Sequence, residues 1–296
     1  MLESALARGD QAAGLRRLLG QEGLAAITVL SGAPGDGKTT VAINLAAALG
    51  RAGRDALLLD SSPDGRGACA RLGFDAPVTL AGRERGEGAL ALDELLLNHA
   101  VGVQLLPVGA SLERFATLSD AGRARLDAAL AEWSSVADVV LLDTESGADA
   151  TRLPLSLAAA DLLLVVTPEP DSIKGAYALV KRLRQRFDKR TFHLLLNRAR
   201  DGAQATAVAA NLAATAARFL DVRIEHLGTL PDDARIGEAA RLRRAVVEAF
   251  PEAPSAPEFR RLAEALGGWR GRAGVSRAGA LLRRAVESAP GARGGS

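Results

Sequence analysis

The run Gly32–Thr39 reads G-A-P-G-D-G-K-T and matches the phosphate-binding pattern G-x-x-x-x-G-K-[ST] at every position. Glycines let consecutive backbone N–H groups converge on a phosphate without obstruction by a Cβ atom. The ammonium group of Lys38 would reach the β- and γ-phosphates of a nucleotide, and the Thr39 hydroxyl would ligate Mg²⁺. We therefore predict a nucleotide site whose contacts come from Gly32, Gly35, Asp36, Gly37, Lys38, Thr39 and Thr40.

A site of this kind also needs an acidic side chain that holds Mg²⁺ or its water shell. Asp143 follows the apolar strand 138–142, and Asp60 ends a second apolar run that begins at residue 56. An aspartate at the end of a strand can also serve solubility alone. We prefer the functional interpretation for Asp143 and assign it, with Lys38, to catalysis; for Asp60 both interpretations stay open. The candidate metal ligands are Thr39, Asp60 and Asp143.

Apolar runs alternate with helical stretches along most of the chain. Strands are predicted at 24–30, 56–60, 103–107, 138–143, 161–167 and 192–197, and helices at 3–20, 40–49, 117–133, 172–187 and 203–219. Strands that are apolar throughout and alternate with helices are typical of a parallel sheet covered on both faces. We therefore predict a three-layer α/β fold whose ligand site lies where the strands end. Residues 61–101, rich in Gly and charge, are expected to form a mobile excursion, and the pattern weakens after Pro251.

The composition excludes several classes of protein. The 296 residues carry a formal net charge of +2, which by itself makes no case for nucleic-acid binding. The single cysteine, Cys69, excludes an internal disulfide and suits a reducing cytoplasm. No uninterrupted apolar run of about 18 residues occurs, and the N-terminus has no apolar signal-peptide core. We expect a cytoplasmic protein with no transmembrane span.

Several segments together resemble the MinD/ParA group of P-loop ATPases. Asn44-Leu-Ala follows the phosphate-binding run, 143–147 is similar to the group's D-T-x-x-G segment, and 160–177 is similar to its A-A-D…P-E…A-Y block. The resemblance covers about residues 24–266. It implies the three-layer P-loop NTPase fold, with ATP and Mg²⁺ as cofactors. It also implies that the segments at Asn197, Arg198, Pro231 and Asp232 embrace the adenine.

The N-terminal segment resembles one branch of that group. Residues 10–16 read D-Q-A-A-G-L-R and match D-Q-A-x-x-L-R, the hallmark of the flagellar-number regulators (FlhG/FleN). In that branch the segment is a helix that activates a partner GTPase of the signal-recognition-particle type. The alternative is an ordinary amphipathic helix packed on the sheet, and we prefer the partner interpretation. The implied partner-binding residues are Asp10, Gln11, Ala12, Leu15 and Arg16.

The chain departs from the group's pattern at two positions. The group's phosphate-binding loop begins K-G-G, and its lysine crosses the dimer interface to the partner's nucleotide; here Ala33 stands in that place. The group commonly has D-x-D after the second strand, and its second acid positions the attacking water; here Ser62 follows Asp60 and Ser61. A hydroxyl cannot act as a carboxylate base at neutral pH. We therefore expect slow or absent ATP hydrolysis with nucleotide binding retained.

The chain divides into an N-terminal partner helix (1–23), a MinD-like nucleotide-binding domain (24–268) and a basic tail (269–296). The stretch 275–286 has a small apolar face beside arginines, which suits weak membrane association; an ordinary surface helix or a disordered tail is the alternative. The leading functional interpretation is an ATP-binding regulator of flagellar number or placement. Its expected partners are the flagellar GTPase, a flagellar transcriptional activator or switch-complex protein, and a second copy of the chain with ATP. A partition ATPase of the ParA type and a non-hydrolysing scaffold are the alternatives.

Overall fold

The computed structural model describes residues 25–62, 67–74, 96–100, 102–108, 137–144 and 161–267. Within these residues lie the strands β1 (Ala25–Ser31), β2 (Ala56–Asp60), β3 (Leu97–Ala100), β4 (Val103–Pro107), β5 (Val139–Asp143), β6 (Asp161–Val166), β7 (Thr191–Ala199) and β8 (Arg223–Pro231). They form one sheet in the order β3-β4-β2-β5-β1-β6-β7-β8. β3 runs antiparallel to β4, and every other neighbouring pair is parallel. The predicted mostly parallel α/β sheet is confirmed.

Helices cover both faces of this sheet. The described helices are α1 (Lys38–Arg51), α2 (Ala68–Arg71), α3 (Pro170–Phe187), α4 (Gly202–Leu220), α5 (Ala234–Arg241), α6 (Val246–Ala249) and α7 (Ala256–Gly267). Successive side chains of a strand point to opposite faces. Leu163 and Val165 of β6 accordingly join the core that contains α1 and α7, whereas Leu162 and Leu164 join the core that contains α3 and α4. The predicted three layers are confirmed.

Some helices and strands are not predicted by the sequence patterns. β8 is an edge strand whose residues alternate irregularly between buried and exposed, so it lacks the continuous apolar run that predicts a buried strand. α7 forms beyond Pro251, where the pattern weakens, and its Phe259 is fully buried. The stretch 61–101, expected to be a mobile excursion, contains two regular elements, α2 and β3. The predicted helices at 3–20 and 117–133 lie outside the described residues.

The strand register brings several strand ends to one edge of the sheet. Asp60 of β2 is the register partner of Asp143 of β5, and Val29 of β1 is paired with Asp143 on the other side. Because β1, β2 and β5 are parallel and adjacent, the loops that follow them must meet. No described helix is long and apolar enough to cross a bilayer.

Candidate functional site

The phosphate-binding loop connects β1 to α1, as the motif requires. Gly35 and Gly37 adopt positive φ angles of 87° and 93°, the left-handed region that glycine enters without a steric penalty. Within the described residues, no side chain caps α1, so the N–H groups of its first turn stay available for an anion. A Cβ atom at Gly37 would lie 2.4 Å from Nδ2 of Asn197. Position 37 therefore requires glycine for two reasons: its left-handed φ angle and the lack of room for a Cβ atom beside Asn197.

We expect Gly37→Ala to weaken ADP binding at least about tenfold, because a left-handed alanine costs roughly 1–2 kcal/mol and its methyl group would also displace the Asn197 amide. Gly53→Ala is the matched control: its φ is 76°, but a Cβ atom there meets nothing within 4 Å. Titration with a fluorescent ADP analogue and thermal unfolding of both variants measure the difference. Equal effects in the two variants would contradict the packing role of Gly37.

Lys38 and Asp143 form a buried ion pair at the start of α1. Lys38 Nζ lies 3.0 Å from Asp143 Oδ1, and the two side chains are 7% and 3% exposed. The Thr39 side chain also hydrogen-bonds the Asp143 carboxylate. Burial raises the pKa of Asp143, while the Lys38 ammonium and the hydrogen bond from Thr39 oppose that rise. The three side chains expected to handle phosphate and Mg²⁺ therefore already converge.

Asp60 lies beside this pair, with both carboxylate oxygens bound to backbone. Oδ1 accepts the N–H of Ser62 at 3.0 Å, and Oδ2 accepts the N–H of Cys69 at 2.8 Å. Burial and the nearby Asp60 carboxylate raise the pKa of the Cys69 thiol, which keeps it in the neutral form. Asp60 therefore fixes the segment that follows β2. Its role as a metal ligand stays a prediction.

The Asp36 carboxylate is directed into the protein. Burial raises its pKa, and it is only 4% exposed. It accepts the N–H of Ala33 at 3.1 Å and a hydrogen bond from the Ser172 hydroxyl, whose oxygen in turn accepts the Thr167 N–H at 2.9 Å. The Arg198 guanidinium adds a favourable charge interaction. Asp36 thus joins the loop to the start of α3, a contact that the sequence pattern does not indicate.

Asn197 also contacts the phosphate-binding loop. Its Nδ2 donates to the Asp36 carbonyl oxygen at 2.7 Å, and its Oδ1 accepts the N–H of Arg198 at 3.0 Å. Arg198 has a left-handed φ of 57°. The Asn197 side chain therefore anchors the loop in this structure, and its proposed contact with adenine stays a prediction.

The two segments expected to embrace adenine lie side by side at the ends of β7 and β8. Pro231 is in register with Ala199, and the Asp232 N–H donates to the Ala199 carbonyl at 3.1 Å. The Asp232 carboxylate accepts a hydrogen bond from Arg200 Nε at 3.0 Å. The structure thus places Asn197, Arg198, Pro231 and Asp232 at the adjacent ends of β7 and β8, and Asn197 also contacts the loop.

The backbone of the phosphate-binding loop packs directly against the backbone of α3. A Cβ atom at Gly32 would lie 2.0 Å from the Gly175 carbonyl carbon, and one at Gly175 would lie 2.7 Å from the Gly32 oxygen. Neither position has room for a side chain. The motif predicts glycine at the first of these positions, but only the tertiary structure explains the second.

The two positions that depart from the group's pattern lie at this site. Ala33 is partly buried, and its N–H is held by Asp36. Between Asp60 and Ser62, the Ser61 hydroxyl donates to the Asp143 carbonyl oxygen at 2.7 Å. Ser62 follows, partly buried, with its N–H on Asp60. The residues predicted to bind a partner, Asp10, Gln11, Ala12, Leu15 and Arg16, lie outside the described residues.

Comparison with known proteins identifies similar sequences. Residues 27–244 match the family described as the CobQ/CobB/MinD/ParA nucleotide binding domain. The chain is 34% identical over 243 residues to the antiactivator FleN of Pseudomonas aeruginosa, an alignment that covers 82% of this chain and 86% of FleN. It is 32% identical over 242 residues to the chromosome-partitioning ATPase Soj of Thermus thermophilus, covering 78% and 90% of the two chains.

Solved structures with the same fold include two MinD proteins. The MinD cell division protein of Aquifex aeolicus superposes with a TM-score of 0.62 at 21% identity, covering 82% of this chain and 97% of that chain. The septum site-determining protein MinD of Pyrococcus horikoshii, complexed with Mg-ADP, superposes with a TM-score of 0.61 at 22% identity. The superposition covers 82% of this chain and 96% of that chain. The loop, the sheet order and these similarities agree: the chain belongs to the CobQ/CobB/MinD/ParA family of nucleotide-binding domains.

Proposed function

We propose that this protein is an ATP-binding, MinD-like regulator of flagellar number or placement. In this role it is an adaptor that responds to nucleotide and hydrolyses ATP slowly or not at all. The observation that carries the nucleotide part is the convergence of Lys38 and Thr39 on Asp143 behind a loop with the required glycine conformations. The identity to FleN and the D-Q-A-x-x-L-R pattern of residues 10–16 support the flagellar part.

The residues present fit ATP and Mg²⁺. Gly35 and Gly37 hold the backbone in the conformation that a phosphate cradle needs, and α1 leaves its first-turn N–H groups available. Lys38 would bind phosphate oxygens, while Thr39 and Asp143 would hold Mg²⁺, which neutralises charge on the phosphates. The pairing of Lys38 with Asp143 keeps both side chains in place until nucleotide binds.

The same site lacks two groups that hydrolysis uses in the family pattern. Ala33 offers a methyl group where a lysine would stabilise phosphate charge, and Ser62 offers a hydroxyl where a carboxylate would position water. Both losses affect turnover and nucleotide-linked dimerisation more than simple binding. We therefore assign the protein a nucleotide-sensing role.

The proposed partner is the flagellar GTPase of the signal-recognition-particle type, contacted by residues 10–16. FleN is called an antiactivator, and a flagellar transcriptional activator or a switch-complex protein is accordingly a second proposed partner. We place the protein in the cytoplasm, with weak attachment of the 269–296 tail to the inner face of the cell membrane. No specific nucleic acid is expected.

We expect size-exclusion chromatography with light scattering to show a nucleotide-dependent complex with that GTPase. The complex should be lost when residues 1–23 are removed or when Gln11 and Arg16 are both replaced by Ala. Arg17→Ala, just outside the pattern, is the matched control and should bind normally. The rate at which the partner GTPase hydrolyses GTP, which this protein should increase, provides a second readout. Binding that survives removal of residues 1–23 would contradict the proposed docking helix.

A partition ATPase is the second candidate, supported by the 32% identity to Soj. That function predicts ATP-dependent DNA co-sedimentation and steady ATP turnover, neither of which the regulator should show. A scaffold that ignores nucleotide is the third candidate. It is distinguished by an unfolding temperature that ADP and ATP leave unchanged.

A further inference from the structure

Arg71 lies next to the phosphate-binding loop without belonging to its motif. It is the last residue of α2, and its Nη1–H donates to Oγ1 of Thr40 at 3.1 Å. Thr40 belongs to the first turn of α1, one residue beyond Thr39. The guanidinium group is therefore placed against the helix turn whose N–H groups would face a bound phosphate.

Two contacts fix α2, and with it Arg71. At its start, the Cys69 N–H donates to Asp60 Oδ2 at 2.8 Å. At its end, a Cβ atom on Gly73 would lie 2.6 Å from Cδ of Arg243, so this turn packs closely on the residues that follow α5. The position of Arg71 is thus set by both the strand end at Asp60 and the helical layer.

Among the described residues, Arg71 is an exposed cation near the loop for which no ion pair with a carboxylate is found. Lys38 is paired with Asp143, and Arg198 interacts with Asp36. Asp60 adds a third buried carboxylate near the site. Within the part of the chain that the structure describes, the Arg71 guanidinium has one side-chain hydrogen bond, to the Thr40 hydroxyl. A guanidinium has five N–H donors in total, so other donors can bind a phosphate.

We propose that Arg71 binds the nucleotide's phosphates from within the same chain, on the side nearer the α-phosphate. The inference rests on the proposed nucleotide binding. Lys38 reaches the β- and γ-phosphates, whereas Thr40, the Arg71 partner, lies farther into the helix. Arg71 supplies positive charge from within the chain to a nucleotide that receives none from position 33 of a second copy, where Ala33 replaces the lysine.

The test is the affinity for ADP and ATP in the presence of Mg²⁺, measured by isothermal titration calorimetry on the full chain. Arg71→Ala should weaken binding of both nucleotides about tenfold and to the same extent, since both carry an α-phosphate. Arg71→Lys should recover part of the loss, because it restores the charge without the planar fork. Arg51→Ala, which removes an exposed arginine from the last turn of α1, is the matched control and should bind as the wild type does.

Each of the other possible results would contradict one specific part of the proposal. If Arg71→Ala binds both nucleotides with affinities within twofold of the wild type, the proposed role of Arg71 is wrong, and the proposed function is unaffected. A loss confined to ATP would overturn its placement near the α-phosphate. A loss in Arg71→Ala that Arg71→Lys does not reduce, together with a lower unfolding temperature without nucleotide, would show that Arg71 only holds α2 in place. A wild-type protein that binds neither nucleotide would overturn the proposed function as well.

Discussion

The double variant Ala33→Lys, Ser62→Asp is expected to hydrolyse ATP at least about 10²-fold faster than the wild type, because a positioned carboxylate contributes roughly 10²–10⁴ to such a step. Both positions are suited to the change. The Ala33 N–H is held by Asp36 and the Ser62 N–H by Asp60, so the backbone is already in place. The wild-type protein should bind ATP yet show turnover close to background.

The single variants separate the two effects. Ala33→Lys alone should promote an ATP-dependent dimer with little turnover, since its proposed partner is the nucleotide of a second copy. Ser62→Asp alone should give neither a dimer nor a large rate, because the lysine is still missing. Phosphate release in single-turnover experiments and light scattering measure the two properties.

Lys38→Ala added to the double variant is the control, and it must abolish hydrolysis. A double variant as slow as the wild type would show that these two side chains are not what limits turnover. Fast hydrolysis by the wild type, abolished by Lys38→Ala, would contradict the proposed nucleotide-sensing role.

Lys38→Ala in the wild-type background is expected to abolish nucleotide binding and also to destabilise the protein without nucleotide. Its partner Asp143 is 3% exposed, and breaking a buried pair by removing one member costs about 3–5 kcal/mol. In a domain of this size that loss lowers the unfolding temperature by roughly 10 °C. Lys174→Ala is the matched control, because Lys174 is 79% exposed and forms only a surface pair with Asp171.

A double-mutant cycle tests the cause of that destabilisation. Asp143→Asn in the Lys38→Ala background removes the uncompensated charge and should restore at least half of the lost free energy of unfolding. Chemical denaturation of the four proteins gives the coupling between the two side chains. Additive losses would show that Lys38 stabilises the nucleotide-free protein by packing alone.

Glycine spacing and apolar runs are local features, and they were enough to predict the phosphate-binding loop and the parallel sheet. β1, β2, β4, β5, β6 and β7 lie where apolar runs predict strands, because a strand buried on both faces must be apolar throughout. β8 was missed for the same reason: as an edge strand it mixes exposed and buried residues. Asp143 was identified because it ends an apolar run and is followed by T-E-S-G; only the structure shows that its strand pairs with β1.

Other parts of the site depend on contacts that no local pattern contains. Asn197 anchors the carbonyl of Asp36 from 161 residues away, and Arg71 reaches Thr40 from 31 residues away. The direction of the Asp36 carboxylate could not be predicted, because it depends on Ser172 at the start of a helix beyond β6.

The sequence by itself determined that the chain has a phosphate cradle and a MinD/ParA-type parallel sheet, since glycine conformation and strand burial are encoded residue by residue. The same sequence also identified Ala33 and Ser62 as departures from the family pattern. Only the tertiary structure decided which charges face the cradle. Packing turns Asp36 inward, pairs Lys38 with Asp143 and leaves Arg71 exposed on Thr40. Such contacts join distant strands and helices, and they are set by how those elements pack.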